Sequence, residues 1–119
     1  MIVGAAVVEL HVHGSRSLKE KRGVVRSLVQ RVRNRFRVSI AEVGGQDTWQ
    51  RIVLGVATVG GDARKLRAVL EQVIAFLDGT GLAEVVGSDV EIVPFPHEEL
   101  GDDDDDEAGG EDDETAGED

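Results

Sequence analysis

The stretch IVGAAVVELHVHGSRSLKEKRGVVRSLVQRV, residues 2–32, changes its apolar period once, and that change decides the fold. From Ile2 to His13 the even positions Ile2, Ala6, Val8, Leu10 and Val12 are apolar, the alternation of a strand with one buried face. Gly14-Ser15 breaks it. Ser17-Leu18-Lys19-Glu20 then has the pattern of a capping box, with Ser17 as N-cap and Glu20 reaching back from the third helical position. Leu18, Val25, Leu28, Val29 and Val32 follow at helical spacing, so a first helix is predicted to about Asn34.

Working outward, Phe36 to Val43 reads as a second strand and Trp49 to Val59 as a third, apolar at Ile52, Leu54 and Val56. Gly44-Gly45-Gln46-Asp47 between them is hairpin turn chemistry. Gly60-Gly61-Asp62 gives a break and an N-cap, and Leu66, Val69, Leu70, Val73 and Leu77 make the stripe of a second helix ended by Gly79. Ala83 to Val93 is a fourth strand, interrupted around Gly87-Ser88, and Pro94 and Pro96 close the domain. The order βαββαβ, with right-handed crossovers, predicts an α+β ferredoxin-like sandwich. Its four-stranded antiparallel sheet would carry both helices on one face.

A chain of 119 residues allows one domain, expected over residues 1–96, large enough to bury roughly 60–68% of the unfolded surface. Cysteine is absent, which excludes disulfides, thiolate metal sites and a cysteine nucleophile. Met1 to Leu10 is too short to span a membrane and lacks the basic flank of a signal peptide, so a soluble cytoplasmic protein is expected. Charge is segregated. Residues 1–96 hold thirteen basic and ten acidic residues, a net of +3, whereas residues 97–119 hold fourteen acids and no Lys or Arg. With nothing apolar to bury beside Asp102 to Glu107, residues 97–119 are expected to be a disordered acidic tail.

Ser17-Leu18-Lys19-Glu20-Lys21-Arg22 resembles a motif of the YlxP-like family, small bacterial proteins grouped as a domain of unknown function. Ser39-Ile40-Ala41-Glu42-Val43, followed by Gln46-Asp47-Thr48-Trp49-Gln50-Arg51, is similar to the family's second signature. The resemblance covers about residues 1–95 and leaves the acidic tail outside. It implies a ferredoxin-like fold and no established catalytic activity. Genes of such proteins commonly sit beside those for a translation initiation factor and a ribosome-binding factor, which points toward the ribosome.

The strongest candidate site is basic. At about 100° per residue, Lys19, Arg22, Arg26, Arg33 and an extrapolated Arg37 share an arc of roughly 60° beside the apolar stripe. A row of guanidinium forks suits the phosphates of a polyanion, and structured RNA is the expected partner. A solvated helix face or a protein partner remains the bland alternative. Gly23 inside this helix either admits a phosphate backbone or is merely tolerated. The central strands offer His11, His13 and Trp49 but no Phe or Tyr, so phosphate and shape contacts are expected rather than base stacking on the sheet.

Other constellations are weaker. Glu9, His11 and His13 alternate on one strand and could ligate zinc or iron, but a solvent-facing strand edge is the expected reading, with no metal. Neither Gly44-Gly45 nor Gly60-Gly61 is followed by Lys-Ser/Thr, so no phosphate loop is read, and no Ser lies in a nucleophile-elbow motif. Val3, Ala5 and Val7 on the first strand should lie near Val53, Ala57 and Val59 on the third, an uncovered apolar patch that predicts a homodimer. Trp49 with Arg51 is a candidate partner anchor, or else Trp49 covers the sheet end. The expected function is a non-catalytic binding module without cofactors, associating with ribosomal RNA or ribosomal particles. The alternative is a dimeric protein-interaction or small-ligand regulatory module.

Overall fold

The computed structural model describes residues 1–96; the acidic segment 97–119 lies outside the described residues. Six elements follow in the order β1 (Ile2–His11), α1 (Leu18–Arg35), β2 (Ser39–Gly44), β3 (Arg51–Gly60), α2 (Ala63–Gly79) and β4 (Glu84–Pro94). The strands form one antiparallel sheet in the order β2-β3-β1-β4. This is the ferredoxin-like βαββαβ arrangement. Among the described residues no helix is long and apolar enough to cross a membrane.

The apolar period places the core. Ala6, Val8, Leu10 and Val12 from the first strand region and Ile52, Leu54 and Val56 from β3 are all buried, facing Val25, Leu28 and Val32 of α1 and Leu70, Val73 and Leu77 of α2. Each large apolar side chain withdrawn from water contributes about 1.5–3 kcal/mol against the entropy of ordering the chain. α1 lies against β2, while α2 lies against β1 and β4, so each edge of the sheet has its own helix.

Both helix starts are capped as the sequence suggests. Ser17 Oγ accepts from the Glu20 amide at 3.1 Å. Glu20 Oε1 accepts from the Arg16 amide at 2.8 Å, one residue before the N-cap, a wider version of the box. Asp62 Oδ1 accepts from the Arg64 and Lys65 amides. The end of α2 differs from expectation. Gly79 is still helical, Thr80 is the cap, and the left-handed residue is Gly81 with φ 77°.

Strand boundaries move for identifiable reasons. β2 begins at Ser39 rather than Phe36, because Phe36 is the extended C-cap of α1 and packs edge-on against Phe76 with centroids 5.6 Å apart. β3 begins at Arg51 rather than Trp49, although Val12 still donates to the Gln50 carbonyl at 2.8 Å. Gly45 sits at φ 78° in the hairpin, where an added Cβ would come within 2.6 Å of the Arg51 carbonyl oxygen. That turn admits only glycine.

One core position is charged. Lys21 is 1% exposed and stands on the same helical stripe as Val25, Leu28 and Val32. Its Nζ donates to the Gly45 carbonyl and, at 3.2 Å, to the Arg51 carbonyl, and lies 3.2 Å from Glu42 Oε2. The Glu42 contact is an ion pair without hydrogen-bond alignment, since the same oxygen is buried and makes no directed bond. A buried ammonium is tolerated only with such partners, and losing them leaves polar groups stranded. Lys21→Met keeps the stem and removes the charge. It is expected to cost about 2–4 kcal/mol in urea denaturation, and adding Glu42→Leu is expected to recover part of the loss.

Candidate nucleic-acid interface

Apart from exposed Arg31, the cations of α1 divide three ways. Lys21 is withdrawn into the core, and Arg35 lies across Phe76 and Phe36, its guanidinium carbon 5.2 and 5.8 Å from the ring centroids. Lys19, Arg22, Arg26 and Arg33 are exposed along one edge of the helix. That edge faces the β2 side of the sheet, because Arg33 Nη2 donates to the Ile40 carbonyl of β2 at 3.1 Å. At 1.5 Å per residue the four charges span about 21 Å.

Arg37 does not belong to this row. α1 ends at Arg35, and Arg37 is in the extended link to β2, its carbonyl accepting from Thr58 Oγ1 at 3.3 Å. The helical extrapolation that added it fails because Phe36 turns the chain out of the helix to meet Phe76. Arg37 is nevertheless exposed, near the end of the row.

Among the described residues none of Lys19, Arg22, Arg26, Arg33 and Arg37 is paired with a carboxylate. Six of the ten acids in residues 1–96 are engaged elsewhere. Glu9 pairs with Arg51 at 2.8 Å, Glu42 with Lys21, and Glu84 with His13 at 2.7 Å. Glu20, Asp62 and Asp78 accept from backbone amides. The α1 edge is therefore a row of unneutralised donors of one sign.

The remaining candidate residues are separated from this edge. Glu9, His11 and His13 are not assembled as ligands. Glu9 and His13 bind Arg51 and Glu84, His13 lies beyond β1, and His11 and His13 meet edge to face at 4.4 Å. Among the described residues no group of three metal-ligating side chains converges. Trp49 is 54% exposed in the β2–β3 connection, and with His11, Gln50 and Arg51 it lines an open recess of ≈ 500 Å³.

On the uncovered sheet face Val3 pairs with Val59 and Ala5 with Ala57, as expected, while Val7 lies opposite Gly55. Val53 departs from the expected patch. It is 9% exposed because the bulge of β2 brings Gly44 over it. Val43, the extra residue of that bulge, sits over Gly55 and takes the place of Val53 in the exposed row. The sheet-face residues expected from alternation alone missed this exchange, because a bulge shifts the register by one.

The family profile described as "Protein of unknown function (DUF503)" matches residues 3–90. A relative from Bacillus subtilis (strain 168), "Uncharacterized protein YlxP", is 43% identical over 77 residues, 65% of this chain and 84% of that protein.

Gly23 lies within α1 beside the basic row, and a Cβ there would meet nothing within 4 Å. Gly23→Ala is therefore expected to stabilise the domain by about 0.5–1 kcal/mol, read as a higher denaturation midpoint. A destabilised variant would show that Gly23 is needed for its backbone rather than merely tolerated.

Proposed function

The chain belongs to the DUF503 family, and from its charge distribution we propose that it is a non-catalytic cytoplasmic binding module that associates with structured RNA, ribosomal RNA or ribosomal particles above all. The observation that carries this reading is the α1 edge, where Lys19, Arg22, Arg26 and Arg33 stand exposed and unpaired among the described residues. A polyanion presents acceptors in a line, and neutralising them releases condensed counterions. Arg forks supply paired donors, and Arg33, anchored on the β2 backbone, loses less freedom on binding. With the aromatic residues away from the central strands, the mode is phosphate and shape recognition with weak sequence preference.

Four phosphate contacts give a slope of about −3 to −4 for log affinity against log salt concentration. Titration of the full chain with ribosomal RNA across salt concentrations is expected to give that slope, and Arg22→Glu with Arg26→Glu to abolish binding at low salt. A salt-independent affinity, or binding untouched by the double reversal, rejects the α1 edge as the site.

A second reading follows from the open sheet face. Val7, Val43, Val59 and Val93 are 49%, 57%, 62% and 43% exposed and lie together with Ala5 and Ala57. Strands of 10, 6, 10 and 11 residues at about 3.3 Å per residue, spaced about 4.8 Å apart, give a face of roughly 600 Å². Standard interfaces bury about 800 Å² per partner, so this face is of the size that a second copy covers. On this reading the protein is a homodimer whose function is protein interaction or small-ligand regulation, with Trp49 and Arg51 as the outward anchor. Val7→Asp is expected to convert a sedimenting dimer to a monomer, and a wild-type protein that sediments as a monomer at high concentration rejects the face as an interface.

A further inference from the structure

The open sheet face carries charges of opposite sign on its two outer strands. Its middle is small and apolar, with Val3 paired to Val59, Ala5 to Ala57 and Val7 to Gly55. On β4, Val90 and Ile92 pack against the core, so Asp89 and Glu91 stand on the open side. Asp89 is paired with Val7 and Glu91 with Ala5. Both acids are exposed, and among the described residues neither makes an ion pair. On the β2 side, Val38 and Ile40 pack against the core, and the alternation sets Arg37, Ser39 and Ala41 outward. Ser39 pairs with Ala57, Ala57 with Ala5 and Ala5 with Glu91, so Ser39 and Glu91 lie at one level on opposite edges of the sheet. Arg37 is two residues from Ser39, about 7 Å along the strand.

A second copy of this chain can cover such a face in few ways. Two identical faces that meet are related by a two-fold axis in the plane between them. The face is about 33 Å long and about 19 Å wide, so sheets crossed at right angles overlap over only about 360 Å², whereas aligned sheets overlap fully. An aligned pair has its axis either across the strands or along them. With the axis across the strands, β4 lies over β4 and the acids of the two copies oppose one another, which costs binding energy. With the axis along the strands, β4 lies over β2 of the second copy. Glu91 then comes over the partner's Ser39, within reach of the partner's Arg37, and symmetry makes that contact twice. In the same arrangement β1 lies over β3, with Val7 above the partner's Gly55.

We propose that the protein is a homodimer joined through its open sheet faces with the two-fold axis along the strands, Glu91 of each copy pairing with the partner's Arg37. This orientation rests on the dimeric reading of the sheet face. Apolar contact supplies the association, and the rim charges select one of the two aligned arrangements.

Sedimentation of the full chain at low salt reads the dimer dissociation constant, and the urea midpoint of each variant checks its fold. Arg37→Glu and Glu91→Arg, both at exposed positions, are each expected to raise that constant about tenfold, because each turns two attractive pairs into repulsive ones. Glu71→Arg, at an exposed position of α2, changes net charge as Glu91→Arg does and serves as its reference. The double variant Arg37→Glu with Glu91→Arg keeps the net charge and is expected to return to within about threefold of wild type. Glu91→Gln is expected to weaken the dimer, whereas it would tighten an arrangement that sets β4 on β4. A wild-type chain that stays monomeric rejects the dimeric reading itself. A dimer that ignores either single reversal, that is no tighter in the double variant than in the weaker single one, or that Glu91→Gln tightens overturns this orientation and leaves the dimer standing.

Discussion

The ammonium of Lys21 holds the two halves of this domain in register. It leaves α1 inside the apolar stripe and reaches three groups of the β2–β3 hairpin: the carbonyls of Gly45 and Arg51 and the carboxylate of Glu42. Gln50 Nε2 adds a bond to the Ser15 carbonyl at 3.3 Å, and Val12 donates to the Gln50 carbonyl. The two sequence signatures, Ser17 to Arg22 and Ser39 to Arg51, are thus one structural unit. An apolar residue at position 21 could fill the same space, but it would strand the Gly45 and Arg51 carbonyls and the Glu42 carboxylate and leave the hairpin tip untethered, so the charge acts as a positional lock.

That lock has a consequence for charge. With Glu42 turned inward to Lys21 and Glu20 bound to the Arg16 amide, the acids of β2 and α1 are both occupied. The cations on its outer edge keep their charge unopposed within the described domain. Exposed ion pairs contribute little to stability, so their absence costs the fold almost nothing. A stretch that forgoes them retains both its field and its free donors.

Much of this architecture is readable from residues. The alternation at Ala6, Val8, Leu10 and Val12 and the helical spacing of Val25, Leu28 and Val32 each report burial directly, and all seven are buried. Lys21 was equally legible on the helical wheel, in phase with Val25 and Leu28, but counting it among the basic residues hides it, because a charge sum ignores direction. What local pattern does not carry is tertiary competition. Phe36 leaves its predicted strand to meet Phe76, forty residues away, and takes Arg37 off the basic arc. The β2 bulge buries Val53 and exposes Val43, an exchange set by pairing between strands.

A formal net charge of −11 would, taken as an average, argue against a polyanionic partner. The average is the wrong quantity. At physiological ionic strength charges are screened beyond about 8 Å, whereas the row from Lys19 to Arg33 is about 21 Å long. A phosphate approaching Lys19 or Arg22 therefore responds to the local sign of α1, and fourteen acids elsewhere alter that sign only where they are held within a screening length. The field at this row is therefore set by the charges within a screening length of it, not by the net charge of the whole chain.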